Sequence, residues 1–181
     1  MKKYVLAFSA LGLVVMTACG DNSKKNNEPE VVEVSTTEVK VYAAAPTEVT
    51  FNDPKVADVY QNYINLKTAL VNTDAAKTAV EASKLMTAFA NVGVENDVLM
   101  AAETMSKATD VEVQREAFVA VTGAVEKLLE GALASGTIYK QFCPMAFDFK
   151  GAFWLSNSKQ IANPYFGDKM LRCGKIDSEI K

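Results

Sequence analysis

Two pairs of sulfur side chains near the C-terminus carry most of the chemistry this sequence offers: Cys143-Pro144-Met145 and Met170-Leu171-Arg172-Cys173. Thiolates and thioethers are soft donors, which select Cu(I) or Ag(I) over hard cations. In an extended stretch, residues two apart point the same way, so Cys143 and Met145 are expected to face one ion. A single helical turn would do the same for Met170 and Cys173. These four are the candidate metal ligands. Trp154 is either a shield for a cuprous ion or core, and core is favoured. Asp168 is either an acceptor behind the ligands or a turn and capping residue, and the latter is favoured. The thiols also have a plainer use. A Cys143–Cys173 disulfide would close a loop of about thirty residues and contribute about 3–4 kcal/mol, leaving Met145 and Met170 as core. Both readings stay open, since one thiol pair can bind metal when reduced and bridge when oxidised.

The chain has no histidine. That removes Ser-His-Asp and Cys-His nucleophilic sites, histidine-containing zinc sites and histidine-ligated haem. No nucleophile–base pair is visible around the sulfurs, so the sequence does not read as an enzyme. The formal net charge is −3, with no clustered Lys/Arg footprint for nucleic acid and no polybasic patch for anionic lipid.

The compartment follows from the N-terminus. Met1-Lys2-Lys3 is a short positive start, Tyr4 to Met16 an apolar run too short to span a bilayer, and Met16-Thr17-Ala18-Cys19 a small-residue exit. This resembles a lipobox. The expectation is a signal peptide over 1–18 and a lipidated Cys19 anchoring the protein to a membrane of the Gram-negative envelope, the outer membrane among the candidates, facing the periplasm. Two acyl chains make a durable anchor at about 0.8 kcal/mol per buried methylene. Outside the cytoplasm thiols are oxidised or metal-bound, which sharpens the choice at Cys143 and Cys173.

The elements that must position the sulfurs come next. Residues 19–50 read as a flexible tether: the stretch from Asp21 to Asn27 is polar and aperiodic, and Ala43-Ala44-Ala45-Pro46 is linker-like. The domain spans 51–181, with a bundle over 51–136 and a cap over 137–176. Asp53-Pro54 starts the first helix, and Val56, Val59, Tyr60, Tyr63, Leu66 and Leu70 mark its apolar face. A second helix runs from Ala75 to Asn91 with Val80, Leu85, Met86 and Phe89 inward, ending at Gly93. A third runs from about Asp97 to Lys107, burying Val98, Ala101, Ala102 and Met105. A fourth opens on a Thr109…Glu112 capping box and carries Phe118, Val121, Val125, Leu128 and Ala132 to Ser135-Gly136. Methionines 86, 100 and 105 read as core filler, and the Lys and Glu residues between the stripes as solvated faces. The architecture expected is mainly α, an antiparallel three- to four-helix bundle with an aromatic-rich C-terminal cap. Half of the chain's aromatics fall between Tyr139 and Phe166, punctuated by Pro144, Gly151, Pro164 and Gly167, so long helices are not expected there.

The run Cys143-Pro144-Met145-Ala146, Lys150-Gly151-Ala152-Phe153-Trp154-Leu155-Ser156 and Asn163-Pro164-Tyr165-Phe166-Gly167-Asp168-Lys169-Met170-Leu171-x-Cys173-Gly174 resembles the domain of unknown function 3347 family. Asp53-Pro54-Lys55-Val56 and Gln114-Arg115-Glu116-Ala117-Phe118 look like that family's helices, so the resemblance covers about residues 51–176. Its members are small envelope lipoproteins and C-terminal modules of periplasmic adaptors in copper/silver efflux systems of the RND type. The resemblance implies a helical domain that handles Cu(I) or Ag(I), partnered by such an adaptor or another envelope protein. Many relatives carry a histidine just before Cys-Pro-Met. This chain has Gln141-Phe142 there, which leaves an all-sulfur set. The alternative is a non-metal envelope interaction module stapled by the disulfide.

Overall fold

The computed structural model describes residues 41–181; the leader, Cys19 and the tether up to residue 40 lie outside the described residues. Four long helices form the body: α1 (Pro54–Val71), α2 (Ala75–Val92), α3 (Asn96–Lys107) and α4 (Val111–Leu129). Each consecutive pair packs together, and α4 returns to α1, closing an antiparallel four-helix bundle. None of these helices is long and apolar enough to cross a membrane.

Local chemistry sets the helix ends. Asp53 accepts from Lys55 N at 2.8 Å with Pro54 at the first position, and Asp74 accepts from Lys77 N at 2.9 Å. Gly93 terminates α2 at φ 76°, a left-handed conformation glycine adopts without penalty. The cap of α4 is Asp110, not Thr109: its carboxylate accepts from Glu112 N at 2.8 Å. Glu112 does not reach back, because Arg115 Nη1 holds its carboxylate at 2.6 Å.

Val59, Tyr63, Leu66, Leu70, Leu85, Phe89, Met105, Phe118, Val121 and Val125 are fully buried, as their spacing predicts. Val80 and Met100 are not, at 55% and 65% exposed. On α2 the inward stripe runs through Thr78, Ala82, Leu85 and Phe89, which turns Val80 outward. The expectation that lysine and glutamate stay solvated fails at Lys67, which is fully buried, and at Glu81, which is 7% exposed.

The fourth helix ends at Leu129, short of Ser135. Gly131 turns the chain at φ 67°, and β2 (Leu133–Ser135) pairs antiparallel with β1 (Thr50–Phe51). Residues 41–49, read from sequence as the end of the tether, are pinned to the domain. Tyr42 and Asn72 exchange two hydrogen bonds, Tyr42 N to Asn72 Oδ1 at 2.8 Å and Asn72 Nδ2 to Tyr42 O at 2.9 Å. Asn157 Nδ2 further on donates to Ala45 O.

The cap is a three-stranded antiparallel sheet in the order β4-β3-β5, built from β3 (Ile138–Cys143), β4 (Ala152–Ser156) and β5 (Lys175–Ile180). In register, Gln141 lies opposite Trp154 and Cys143 opposite Ala152. The outer edge of β4 meets the bundle instead of water. There Tyr63 Oη accepts from Leu155 N at 2.9 Å, and Tyr165 Oη donates to Phe153 O at 2.6 Å. Two tyrosines therefore satisfy an edge that would otherwise stay unpaired.

Arg115 joins cap to bundle. It is 2% exposed and donates to Pro164 O at 2.9 Å, Leu70 O at 3.4 Å and Thr73 Oγ1 at 3.2 Å. A guanidinium presents five donors in a rigid fork, so a single side chain of α4 can fix both the end of α1 and the Pro164 segment.

Candidate functional site

Strand β3 delivers Cys143 at its C-terminal end, and the segment entering β5 delivers Cys173. Their sulfurs stand 3.6 Å apart, close enough for one thiol to donate to the other. Cys143 is fully buried and Cys173 half-buried. Burial first, and then the neighbouring Cys143 thiol, hold the Cys173 thiol above its ordinary value.

Three residues place Cys173. Asn163, fully buried, donates from Nδ2 to Cys173 O at 2.8 Å while its Oδ1 accepts from Tyr165 N at 2.8 Å. Gly174 lets the chain pass close by: a Cβ there would sit 2.8 Å from the Trp154 ring and 3.1 Å from Phe142 O. Met170 O accepts from Cys173 N at 3.0 Å, closing one turn after the short 3₁₀ segment Gly167–Met170. In the sequence Asn163-Pro164 offers no more than a turn signal. An asparagine before a proline was the available signal, but its role as the clamp on Cys173 depends on contacts ten residues away.

The thioethers go elsewhere. Alternation along β3 stops at Cys143, because Met145 has helical dihedrals, φ −92° and ψ −10°. Cys143 therefore points inward while Met145 is 38% exposed, so the expectation that both face the same way is corrected. Met145 and half-buried Met170 instead line one open groove with Glu112, Phe147, Tyr165 and Phe166, and neither cysteine lines it. The four sulfurs thus separate: Met145 and Met170 line the groove, while Cys143, fully buried, and Cys173, half-buried, meet outside it. His, Cys, Asp and Glu side chains nowhere gather in threes among the described residues, so further soft donors have to be the thioethers.

The groove wall is strained. Phe147, Asp148 and Phe149, in the one-turn segment α5 (Ala146–Phe149), hold φ of 52°, 55° and 66° in succession. Each non-glycine residue in this region costs about 1–2 kcal/mol. Phe149 is held 77% exposed at the rim, while Phe147 packs edge-on to Tyr165 at 5.4 Å. Such strain concentrates at functional positions.

Trp154 is fully buried, edge-on to Tyr165 at 6.2 Å, and fills the core behind the thiols. Asp168 is exposed in the 3₁₀ segment and bonds no side chain near the sulfurs.

A family model described as protein of unknown function (DUF3347) matches residues 59–136. Over that stretch the chain is similar to this family. No curated protein and no solved structure matches. The matched stretch comprises most of α1, all of α2 to α4, and β2. It ends at Gly136, ahead of β3, so Cys143, Met145, Met170 and Cys173 all lie beyond it. Within the segment, Arg115 and Tyr63 hold the cap from the bundle side.

Proposed function

We propose that this is a lipid-anchored envelope protein that binds Cu(I) or Ag(I) between the thiolates of Cys143 and Cys173, and buffers the ion or passes it to an efflux system. The observation that carries this reading is the 3.6 Å separation of the two sulfurs. Two sulfurs each about 2.3 Å from one metal, the zinc–thiolate length, would stand from about 3.8 Å apart at a tetrahedral angle to about 4.6 Å apart in line, so the pair would open by at most about 1 Å. The thiols are therefore spaced to accept a single ion with little movement of either strand. Two thioethers of matching softness, Met145 and Met170, line a separate groove. Cys19, expected to be lipidated, would hold the domain at the membrane, where an RND-type adaptor or another envelope protein would be its partner.

Titration of the reduced full chain with Cu(I) against a competing chelator tests this. The wild type is expected to take one equivalent of Cu(I) from the chelator, and a Cys143→Ser/Cys173→Ser variant none. Equal affinity in the two proteins would reject the reading.

A second reading rests on the burial of Cys143. A disulfide needs its sulfurs about 2.05 Å apart, and this pair would have to close by about 1.5 Å. Oxidised, the pair would staple β5 to β3, and the cap would act as a protein-recognition surface. Alkylation of the protein as isolated from the envelope separates the two states. Two blocked thiols before reduction, freed after it, mean the staple, whereas unchanged labelling means the reduced pair that metal binding requires.

A further inference from the structure

Met145 and Met170 line an open groove that neither cysteine lines, and this separation has a functional reading that rests on the proposed metal binding. We infer that Met145 and Met170 form an entry site, separate from the thiol pair, where Cu(I) or Ag(I) arriving with a carrier is captured before it moves to Cys143 and Cys173.

Exposure sets the order. Met145 is 38% exposed and Met170 half-buried in an open groove of about 430 Å³, room for an ion that still carries other ligands. Cys143 is fully buried and Cys173 half-buried outside that groove, so an ion that still carries other ligands cannot reach both thiols at once. Chemistry sets the direction. Thioethers are neutral, bind without losing a proton and exchange readily; thiolates bind soft ions more tightly but must first be deprotonated. The groove also carries the Asp148 carboxylate, which favours a cation at its mouth, whereas the Glu112 carboxylate is paired with Arg115.

Proximity makes the transfer short. Met145 is two residues beyond Cys143, a span of at most about 7 Å. Met170 and Cys173 close one turn, whose ends lie within about 7 Å. In the transfer, metal–thioether bonds break as metal–thiolate bonds form, and the two thiols release their protons to solvent. The ion's oxidation state does not change. The left-handed turn at Phe147 to Phe149 holds the groove wall in place, with Phe147 against Tyr165 and Phe149 at the rim.

The test follows transfer of Cu(I) from its coloured bicinchoninate complex to the reduced full chain, by stopped-flow and at equilibrium. Met145→Leu/Met170→Leu, a swap that preserves volume, is expected to slow transfer about tenfold, the low end of what partners around a metal site contribute. Equilibrium affinity is expected to stay at the wild-type value, because the two thiolates alone hold the bound ion. An unchanged rate in this variant would overturn the entry site. So would an affinity lost as fully as in Cys143→Ser/Cys173→Ser, because the four sulfurs would then be one site. In either case wild-type binding leaves the metal reading standing. A wild type that takes no Cu(I) fails that reading itself.

Discussion

Lys67→Met is expected to stabilise the protein at neutral pH by about 2–4 kcal/mol, which is about 10 °C in Tm for a domain of this size. Lys67 is fully buried on α1, and its one hydrogen-bond partner among the described residues is Ser156 Oγ, at a long 3.4 Å. No carboxylate pairs with it among the described residues. The flanking tyrosines, Tyr60 and Tyr63, are themselves pushed upward by burial and stay neutral, so they offer no counter-charge. Burial lowers the Lys67 amine from 10.5 to about 7. In full, such a drop corresponds to about 4–5 kcal/mol, and relaxation around the amine accounts for the smaller expected gain.

The sign follows from proton counting. Between pH 7 and 10.5 the unfolded chain holds a proton on this amine that the folded chain has given up. Stability therefore rises with pH across that window and levels off on either side of it. Thermal unfolding followed by circular dichroism at pH 7 and pH 10 should show the wild type gaining stability and the variant holding level over this component. A methionine variant less stable than wild type at pH 7 would mean that the ammonium makes bonds that outweigh its desolvation.

Lys67 also shows where the sequence stops being legible. The four helices could be read because their apolar residues recur at helical spacing and Asp53, Asp74 and Gly93 sit at the ends such spacing requires. Lys67 lies four residues after Tyr63 and three before Leu70, on that same apolar face, so its spacing points inward and only its residue type argued for water. What receives its amine, Ser156 of β4, comes from a distant part of the chain. The strands of the cap were hidden for a related reason. Along β3, inward residues include Gln141 while Tyr139, Lys140 and Phe142 are half-covered, so apolar and polar residues do not alternate cleanly. Almost every residue of β5 is exposed, which leaves no apolar stripe to detect. The convergence of Cys143 and Cys173 could be conceived from their types alone. Their meeting depends on Asn163, Gly174 and the Arg115 joint, which act across distances that spacing does not encode. Met145 was assigned wrongly in direction because Pro144 ends the strand one residue earlier than the pairing of Cys143 and Met145 requires.

Gly167→Ala should cost stability on the scale of about 3–5 kcal/mol, because it strikes the joint that holds the cysteine-bearing cap to the bundle. Gly167 sits at φ 60°, and an added Cβ would lie 2.2 Å from Thr73 Oγ1, 3.0 Å from Val71 O and 3.2 Å from Arg115 Nη2. None of these atoms can yield cheaply. Val71 O is backbone, Thr73 is itself held left-handed at φ 56°, and the guanidinium is already spread over Pro164 O, Leu70 O and Thr73 Oγ1. The alanine would therefore push the 3₁₀ segment outward and carry Met170 and Cys173 with it, since Cys173 N bonds Met170 O. Reactivity of the buried Cys143 thiol reports this directly. Under native conditions its alkylation should accelerate in Gly167→Ala by more than the loss of global stability explains, because the cap lifts before the bundle melts. Adding Thr73→Gly removes the nearest clashing atom and relieves the left-handed threonine, at the cost of one Arg115 hydrogen bond. The double variant should recover part of the lost stability and restore slow alkylation. Wild-type stability and alkylation in Gly167→Ala alone would show that the cap is not held at this joint. The spacing of the two thiols would then have to be maintained from the β3–β5 pairing instead.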